Sequence, residues 1–380
     1  MNDQSLQTLT DATGAYWTSV VPWLAISPSP PGVQFALQPL DVADRRTDFT
    51  RDGFFAVQPE APSAEYVALV DKLKRGVDAL VAQGWPATFI FVYDEAWSVV
   101  NAWTERLSVV NGGSRFLGDV YAWKVDPRAM ARGWGPHRDR MGSGPDSFRA
   151  EDRTPMLSTS WLALSEAHPQ NSCMMMVPAT ADPAYYTGDV PGCDTLADIF
   201  ACNPAAYQKI RAFPLRPGGL VHFGHRVVHW GSDAACATSR AEPRIAMSWV
   251  VGDERFERRA FALHDDAGPV LPSVAERLGL IAAQLINYSG QTGIRRHEKS
   301  LYFRVFSHVQ HAFTDEYVRK THTLYYTRDA VPPTVAAGKA QAPNRRKLAG
   351  PVVPANVDDE MRRAESVKLL FGSSDSDDSG

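Results

Sequence analysis

Pro217-Gly218-Gly219-Leu220-Val221-His222-Phe223-Gly224-His225-Arg226-Val227-Val228-His229-Trp230-Gly231-Ser232 packs a turn signal, two short apolar runs and three histidines into sixteen residues. Pro-Gly-Gly punctuates any regular element, and the runs Leu220–Phe223 and Val227–Ser232 are too short and too rich in β-branched and aromatic residues for helices. Each predicts a strand. The same texture extends over 118–251, through Val120–Val125, Ser158–Leu164, Cys173–Val177 and Arg244–Val251, with turns at Asp126-Pro127 and His168-Pro169. Many short strands between Gly/Pro turns predict a β-sandwich or barrel.

Outside that region the period lengthens. Ser63 is a candidate N-cap for a helix carrying Val67, Val70, Leu73, Val77 and Leu80 on one face. Trp97, Val100, Trp103 and Leu107 repeat the pattern, and Phe54, Phe55 and Val57 suggest a short strand. Val274, Leu278, Ile281 and Leu285 open a second helical region over 274–328. The fold class expected is α+β, mainly β, with helices flanking the strands. Residues 1–47 read as a loosely ordered lead-in, 48–330 as the main domain and 331–380 as a mostly disordered tail ending in an acidic Ser-rich run. A short helix over about 358–370 is expected to interrupt that tail.

At 380 residues, 44% hydrophobic and 22% charged, the chain can bury a sizeable core. A net charge of −4 argues against nucleic acid or an anionic membrane as partner. The polar start and the lack of a long apolar run predict a soluble cytoplasmic protein with neither signal peptide nor membrane helix. Cys173, Cys193, Cys202 and Cys236 form no CxxC pair, so neither a disulfide framework nor a structural zinc site is expected.

The chemistry lies among the ten histidines. Gly135-Pro136-His137-Arg138-Asp139 contains H-x-D, and on a strand i and i+2 share a face, so both side chains could bind one ion. His229 follows 92 residues after His137. Two imidazoles and one carboxylate make the facial triad of non-haem Fe(II) oxygenases, which leaves coordination positions open. Arg244 stands fifteen residues beyond His229 in the apolar run Pro243-Arg244-Ile245-Ala246-Met247-Ser248. A guanidinium there is costly to bury unless an anion meets it, and a dicarboxylate such as 2-oxoglutarate would do so bidentately. Ser248 shares its face. A second H-x-D at His264-Asp265-Asp266 reads as a surface loop, His308, His311 and Asp315 as a polar helix face, and Met174-Met175-Met176 as core filler. His225 and His222 compete with His229 for the third position.

From about Asp48 to Glu257 the chain resembles the phytanoyl-CoA dioxygenase-like family of Fe(II)/2-oxoglutarate oxygenases. The resemblance lies in DFTRDGFFAV, GWGPHRDR, STSWLALSEAHPQNSCMMMVPAT, RPGGLVHFGHRVVHWGSDA and EPRIAMSWVV, in that order. It implies a double-stranded β-helix, the cupin-like jelly roll. It also implies His137, Asp139 and His229 as iron ligands and Arg244 as the anchor of the distal 2-oxoglutarate carboxylate. Trp161 would lie beside the co-substrate, with Lys124, Thr159 and Ser158 as further polar contacts. The sequence departs from the family in its fifteen-residue His-to-Arg spacing, often ten or eleven, and in Gly219 where many relatives carry Asp. Nothing beyond Ala260 is covered.

The activity implied is O2-dependent hydroxylation, or another oxidation, of an unactivated C–H of a small metabolite, with succinate and CO2 released. Related halogenases replace the triad's carboxylate with a small residue, so Asp139 predicts oxygenation rather than halogenation. Neighbours of the ligands, Trp134, Arg138, Arg140, Met141 and Trp230, are candidate substrate-pocket walls, and no CoA-binding signature is evident. Two other readings stay open: a metal-dependent jelly-roll enzyme that does not use 2-oxoglutarate, and a non-catalytic binding protein on the same fold. Substrate identity and oligomeric state are not legible.

Overall fold

The computed structural model describes residues 8–27, 35–129, 131, 133–140, 143–189, 199–200, 204–232, 242–262 and 271–327. Two antiparallel sheets form its centre. The larger is built from β1 (Phe54–Val57), β2 (Arg115–Val125), β3 (Leu157–Ala163), β6 (Leu220–Gly224) and β8 (Arg244–Gly252), in the order β1-β6-β3-β8-β2. The smaller holds β4 (Met174–Met176), β5 (Arg211–Phe213) and β7 (His229–Gly231), in the order β5-β4-β7.

β8 shows how the layers are organised. All nine of its residues are buried, so both faces are covered and period-2 alternation divides two buried environments rather than core from solvent. Ile245, Met247, Trp249 and Val251 point into the main core, whereas Ala246 belongs to the cluster between the sheets. Arg244, Ser248 and Val250 share the parity of Ala246. Register then aligns neighbours on that face: Trp161 of β3 and Tyr121 of β2 both pair with Ser248, and Thr159 pairs with Val250.

Helices cover the other face. α1 (Ala15–Val20) and α2 (Val42–Asp52) precede β1, and α3 (Ala64–Ala82) and α4 (Asp94–Val110) lie between β1 and β2. α5 (Val274–Asn287), α6 (Arg296–Val309) and α7 (Asp315–Tyr326) follow them. Ser63 caps α3 by accepting from the Tyr66 N–H, satisfying one orphan donor of the first turn. Ser273 and Glu276 form a reciprocal capping box on α5.

The lead-in differs from its sequence reading. Trp17 is fully buried and stacks on Phe89 with ring centroids 4.8 Å apart, because a large indole one turn from Val21 finds an apolar groove beside α3. α2, reaching from 42 to 52, also crosses the expected boundary at 47/48. His264-Asp265-Asp266, Met141 and the tail beyond 327, with the helix expected at 358–370, lie outside the described residues. Among the described residues, no helix is long and apolar enough to cross a membrane.

Candidate metal centre and anion pocket

His137 and Asp139 do not sit on a regular strand. Their segment is extended and touches the smaller sheet by one isolated bridge, His137 opposite His229. The His137 N–H donates to the His229 carbonyl at 3.1 Å, and the return bond is 3.0 Å. A third bond runs from Gly231 N–H to the Trp134 carbonyl at 3.1 Å. Two glycines permit this approach: a Cβ on Gly231 would lie 2.9 Å from Gly133 Cα and 2.6 Å from Ser172 Oγ. Residues 92 apart in sequence are thereby held side by side by backbone pairing.

The three side chains converge. One ligand atom from each of His137, Asp139 and His229 lies within 4.8 Å of the others. Asp139 Oδ1 is 3.8 Å from His137 Nε2 and 3.5 Å from His229 Nε2. His137 Nδ1 lies 2.7 Å from the Gly135 carbonyl and His229 Nδ1 lies 2.9 Å from the Val227 carbonyl. A carbonyl only accepts, so each Nδ1 carries the proton and each Nε2 lone pair is left facing the carboxylate. Thr159 donates to Asp139 Oδ2 at 2.5 Å, fixing the second carboxylate oxygen.

Electrostatics agree with an acceptor site for a cation. Burial pulls the His229 imidazole down to about 4, with His137 beside it adding to the effect, so it is neutral at pH 7. Burial alone would raise the Asp139 carboxyl, but His229, His137 and the Thr159 hydroxyl outweigh it and the group sits below its ordinary range. Two imidazoles and one carboxylate make a donor set suited to a divalent first-row metal.

The cluster opens on a cavity of about 450 Å³ whose wall includes Thr159, Trp161, Arg244, Ser248, Trp134, Arg140 and Trp230. Arg244 is 2% exposed. Its Nε has no partner, and Nη2 reaches only Ser172 Oγ at 3.5 Å. Among the described residues no carboxylate pairs with it. Trp161 lies beneath, with the guanidinium carbon 5.3 Å from its ring centroid. Burial lowers the guanidinium to about 10, far enough above neutrality to keep it charged at pH 7. An uncompensated buried cation on a cavity wall is a site for an anion.

Two expectations change. Lys124 does not line the cavity; its ammonium lies 2.6 Å from Asp78 of α3. Alternation explains this, since Tyr121 and Trp123 take the cavity face and Lys124, one step on, turns toward the helices. Arg138, a candidate pocket wall, does border the cavity, but its side chain is fully buried and its guanidinium is spent on Asp182 and Asp189. His225 and His222 stay outside the cluster. His225 Nδ1 binds the Leu157 carbonyl, and His222 bridges Ser160 and Asn111. His308, His311 and Asp315 are exposed on the helical surface.

Cavity residues that sequence reasoning missed are Tyr121, Trp123, Met174, Phe223, Asp119, Tyr288 and Gln291. The i, i+2 aromatic pair Tyr121-Ala122-Trp123 on a predicted strand was a usable signal for the first two. Tyr288 and Gln291 follow α5, in the region the resemblance does not reach, and nothing local in the sequence marks them.

No family model matches the chain, and no curated protein does. Solved structures similar to it include the non-haem alpha-ketoglutarate-dependent carbocyclase SnoK from nogalamycin biosynthesis. It is 18% identical, with a TM-score of 0.42 over 59% of this chain and 87% of that one. The epimerase SnoN, in complex with Fe3+, alpha-ketoglutarate and nogalamycin RO, is 19% identical, with a TM-score of 0.42 over 56% and 83%. EctD from S. alaskensis, with 2-oxoglutarate and 5-hydroxyectoine, is 17% identical, with a TM-score of 0.42 over 61% and 84%. With likenesses this distant, the functional reading rests on the site itself.

Proposed function

We propose that the chain is an Fe(II)/2-oxoglutarate-dependent dioxygenase of the phytanoyl-CoA dioxygenase-like kind, its two sheets forming a jelly roll, acting on a C–H bond of a small organic molecule. The observation that carries this reading is one cavity lined both by the His137/Asp139/His229 cluster and by the buried, unpaired Arg244. A metal-only enzyme leaves Arg244 without an anion; a 2-oxo dicarboxylate satisfies both ends of the cavity at once.

His137 Nε2, His229 Nε2 and one Asp139 oxygen would hold the iron, and Arg244 would grip the distal carboxylate in a bidentate pair. When bound, iron with 2-oxoglutarate and O2 supplies the oxidant, with succinate and CO2 as co-products and a hydroxylated or otherwise oxidised substrate. The chain's own residues position and exclude. The backbone carbonyls of Gly135 and Val227 keep both imidazoles in the tautomer that presents Nε2. Thr159 stops Asp139 from rotating. Trp161 supports the flat guanidinium from below, and Ser248 offers a hydroxyl on the same face. Trp161, Met174 and Phe223 keep bulk water from the space between the sheets.

Succinate release from 2-oxoglutarate, assayed with Fe(II) in air, tests this directly. The wild-type chain should release succinate, and the Asp139→Gly variant should not. Equal release by both would overturn the assignment.

A further inference from the structure

Tyr121, Trp123, Trp134 and Tyr288 form a continuous aromatic wall on the cavity. Tyr288 contacts Tyr121 at 5.1 Å and Trp134 at 5.1 Å between ring centroids, and Trp123 lies 5.3 Å from Trp134. Trp134 in turn lies 5.8 Å from the His137 ring, so the wall ends at the metal cluster. Its outer member comes from the helical region: Tyr288 is the C-cap of α5, with Gln291 three residues on.

The charges beside this wall are already matched. Arg140 makes two bonds to Glu257, at 3.0 and 2.8 Å, and one to Asp119 at 3.3 Å. Lys320 lies 3.8 Å from both carboxylates, and Gln284 donates to Asp119 at 3.0 Å. Two cations thus face two anions, and neither sign is left over for a ligand. Arg244 is the exception, and the proposed function assigns it to the co-substrate. By contrast, the Tyr288 hydroxyl, the indole N–H groups of Trp123 and Trp134 and the Gln291 side-chain amide make no hydrogen bond to another described residue.

We propose that this wall is the substrate subsite, that it takes an uncharged, flat, ring-bearing molecule with oxygen substituents, and that Tyr288 and Gln291 make the C-terminal helical region a specificity element. Stacking on the indole and phenol faces supplies affinity, and the unpartnered hydroxyl, amide and indole N–H groups read the ring's oxygens. A charged ring of either sign meets a surface on which Arg140 and Asp119 are already paired, and an anionic ring finds no unpaired cation except the one at Arg244. The inference rests on the dioxygenase reading for its location beside the reacting centre.

The test is anaerobic titration of the Fe(II)- and 2-oxoglutarate-loaded chain with three probes of similar size: 2-naphthol, 2-naphthoate and phenyltrimethylammonium. Binding is read by quenching of tryptophan fluorescence. Expected is saturable binding of 2-naphthol, at least tenfold tighter than of either charged probe. Tyr288→Ala should weaken it about tenfold and Gln291→Ala, at an exposed position that folding does not need, two- to threefold. Equal or tighter binding of a charged probe, or 2-naphthol affinity unchanged in both variants, overturns the proposal. Loading with Fe(II) and 2-oxoglutarate is measured separately on the same samples. A wild-type chain that fails to load yet binds 2-naphthol through Tyr288 rejects the dioxygenase reading and leaves the subsite standing.

Discussion

Replacing Arg244 with methionine should move stability and co-substrate affinity in opposite directions. In the ligand-free chain the guanidinium is buried without a counter-ion among the described residues, and burial draws it below its ordinary value to about 10. At about 1.4 kcal/mol per tenfold change in proton affinity, that lowering corresponds to a penalty of about 3 kcal/mol for holding the cation in place. Because the folded-state value is the lower one, the penalty is complete below pH 10 and relieved only as pH rises through that range. Methionine fills similar volume without charge, but it gives up the Trp161 and Ser172 contacts, so we expect a gain of about 1–3 kcal/mol. For a domain of this size that raises the melting temperature by about 2–5 °C. The same change removes two charge-assisted hydrogen bonds to the distal carboxylate, at about 1.5–3 kcal/mol each, so 2-oxoglutarate should bind at least about 100-fold more weakly. Calorimetric melting of the apo chain and isothermal titration with 2-oxoglutarate under anaerobic Mn(II) loading read the two effects. A less stable Arg244→Met variant with undiminished 2-oxoglutarate affinity would refute the reasoning.

Other outcomes follow from the same geometry. Thr159→Val removes the donor to Asp139 at nearly constant volume and should weaken metal affinity about tenfold in a Co(II) titration, with little change in melting temperature. Gly231→Ala places a methyl 2.9 Å from Gly133 Cα, so it should part the His137–His229 backbone pair, lower the melting temperature by several degrees and weaken metal binding. His222 is buried neutral, drawn by burial from 6.5 to about 3, so the unfolded chain binds a proton that the folded chain refuses across that window. Stability is therefore full above pH 6.5 and declines as pH falls toward 3. His222→Gln should flatten that decline by up to about 1.4 kcal/mol per pH unit in urea melts.

How far the sequence could be read depends on whether a residue's role was local. The strands at 157–163, 220–224 and 244–252 were visible because Gly/Pro turns frame apolar runs, and the cap at Ser63 because its hydroxyl acts three residues away. His137, Asp139 and His229 could be nominated from donor chemistry, and Arg244 from the improbability of an unpaired guanidinium in an apolar strand. The irregular path of 133–140 was not visible, since it depends on two glycines, Gly133 and Gly231, meeting across 98 residues. Lys124 was misread because its partner Asp78 lies on a helix far away in sequence. Trp17 was missed because a Pro-rich stretch follows it and hides a well-anchored turn. Tyr288 and Gln291 gave no local sign at all; only the packing of the C-terminal helices against β2 brings them to the cavity.

The most direct test of the account is an anaerobic titration of the chain with Fe(II) and then 2-oxoglutarate, followed by visible absorption. A 2-oxo acid chelated to ferrous iron gives a weak charge-transfer band. The band should appear, saturate at one iron and one 2-oxoglutarate per chain, vanish in Asp139→Gly and demand far more 2-oxoglutarate in Arg244→Met. Stoichiometric iron without a band, or a band indifferent to both substitutions, would contradict the claim that these residues form one iron and 2-oxoglutarate site.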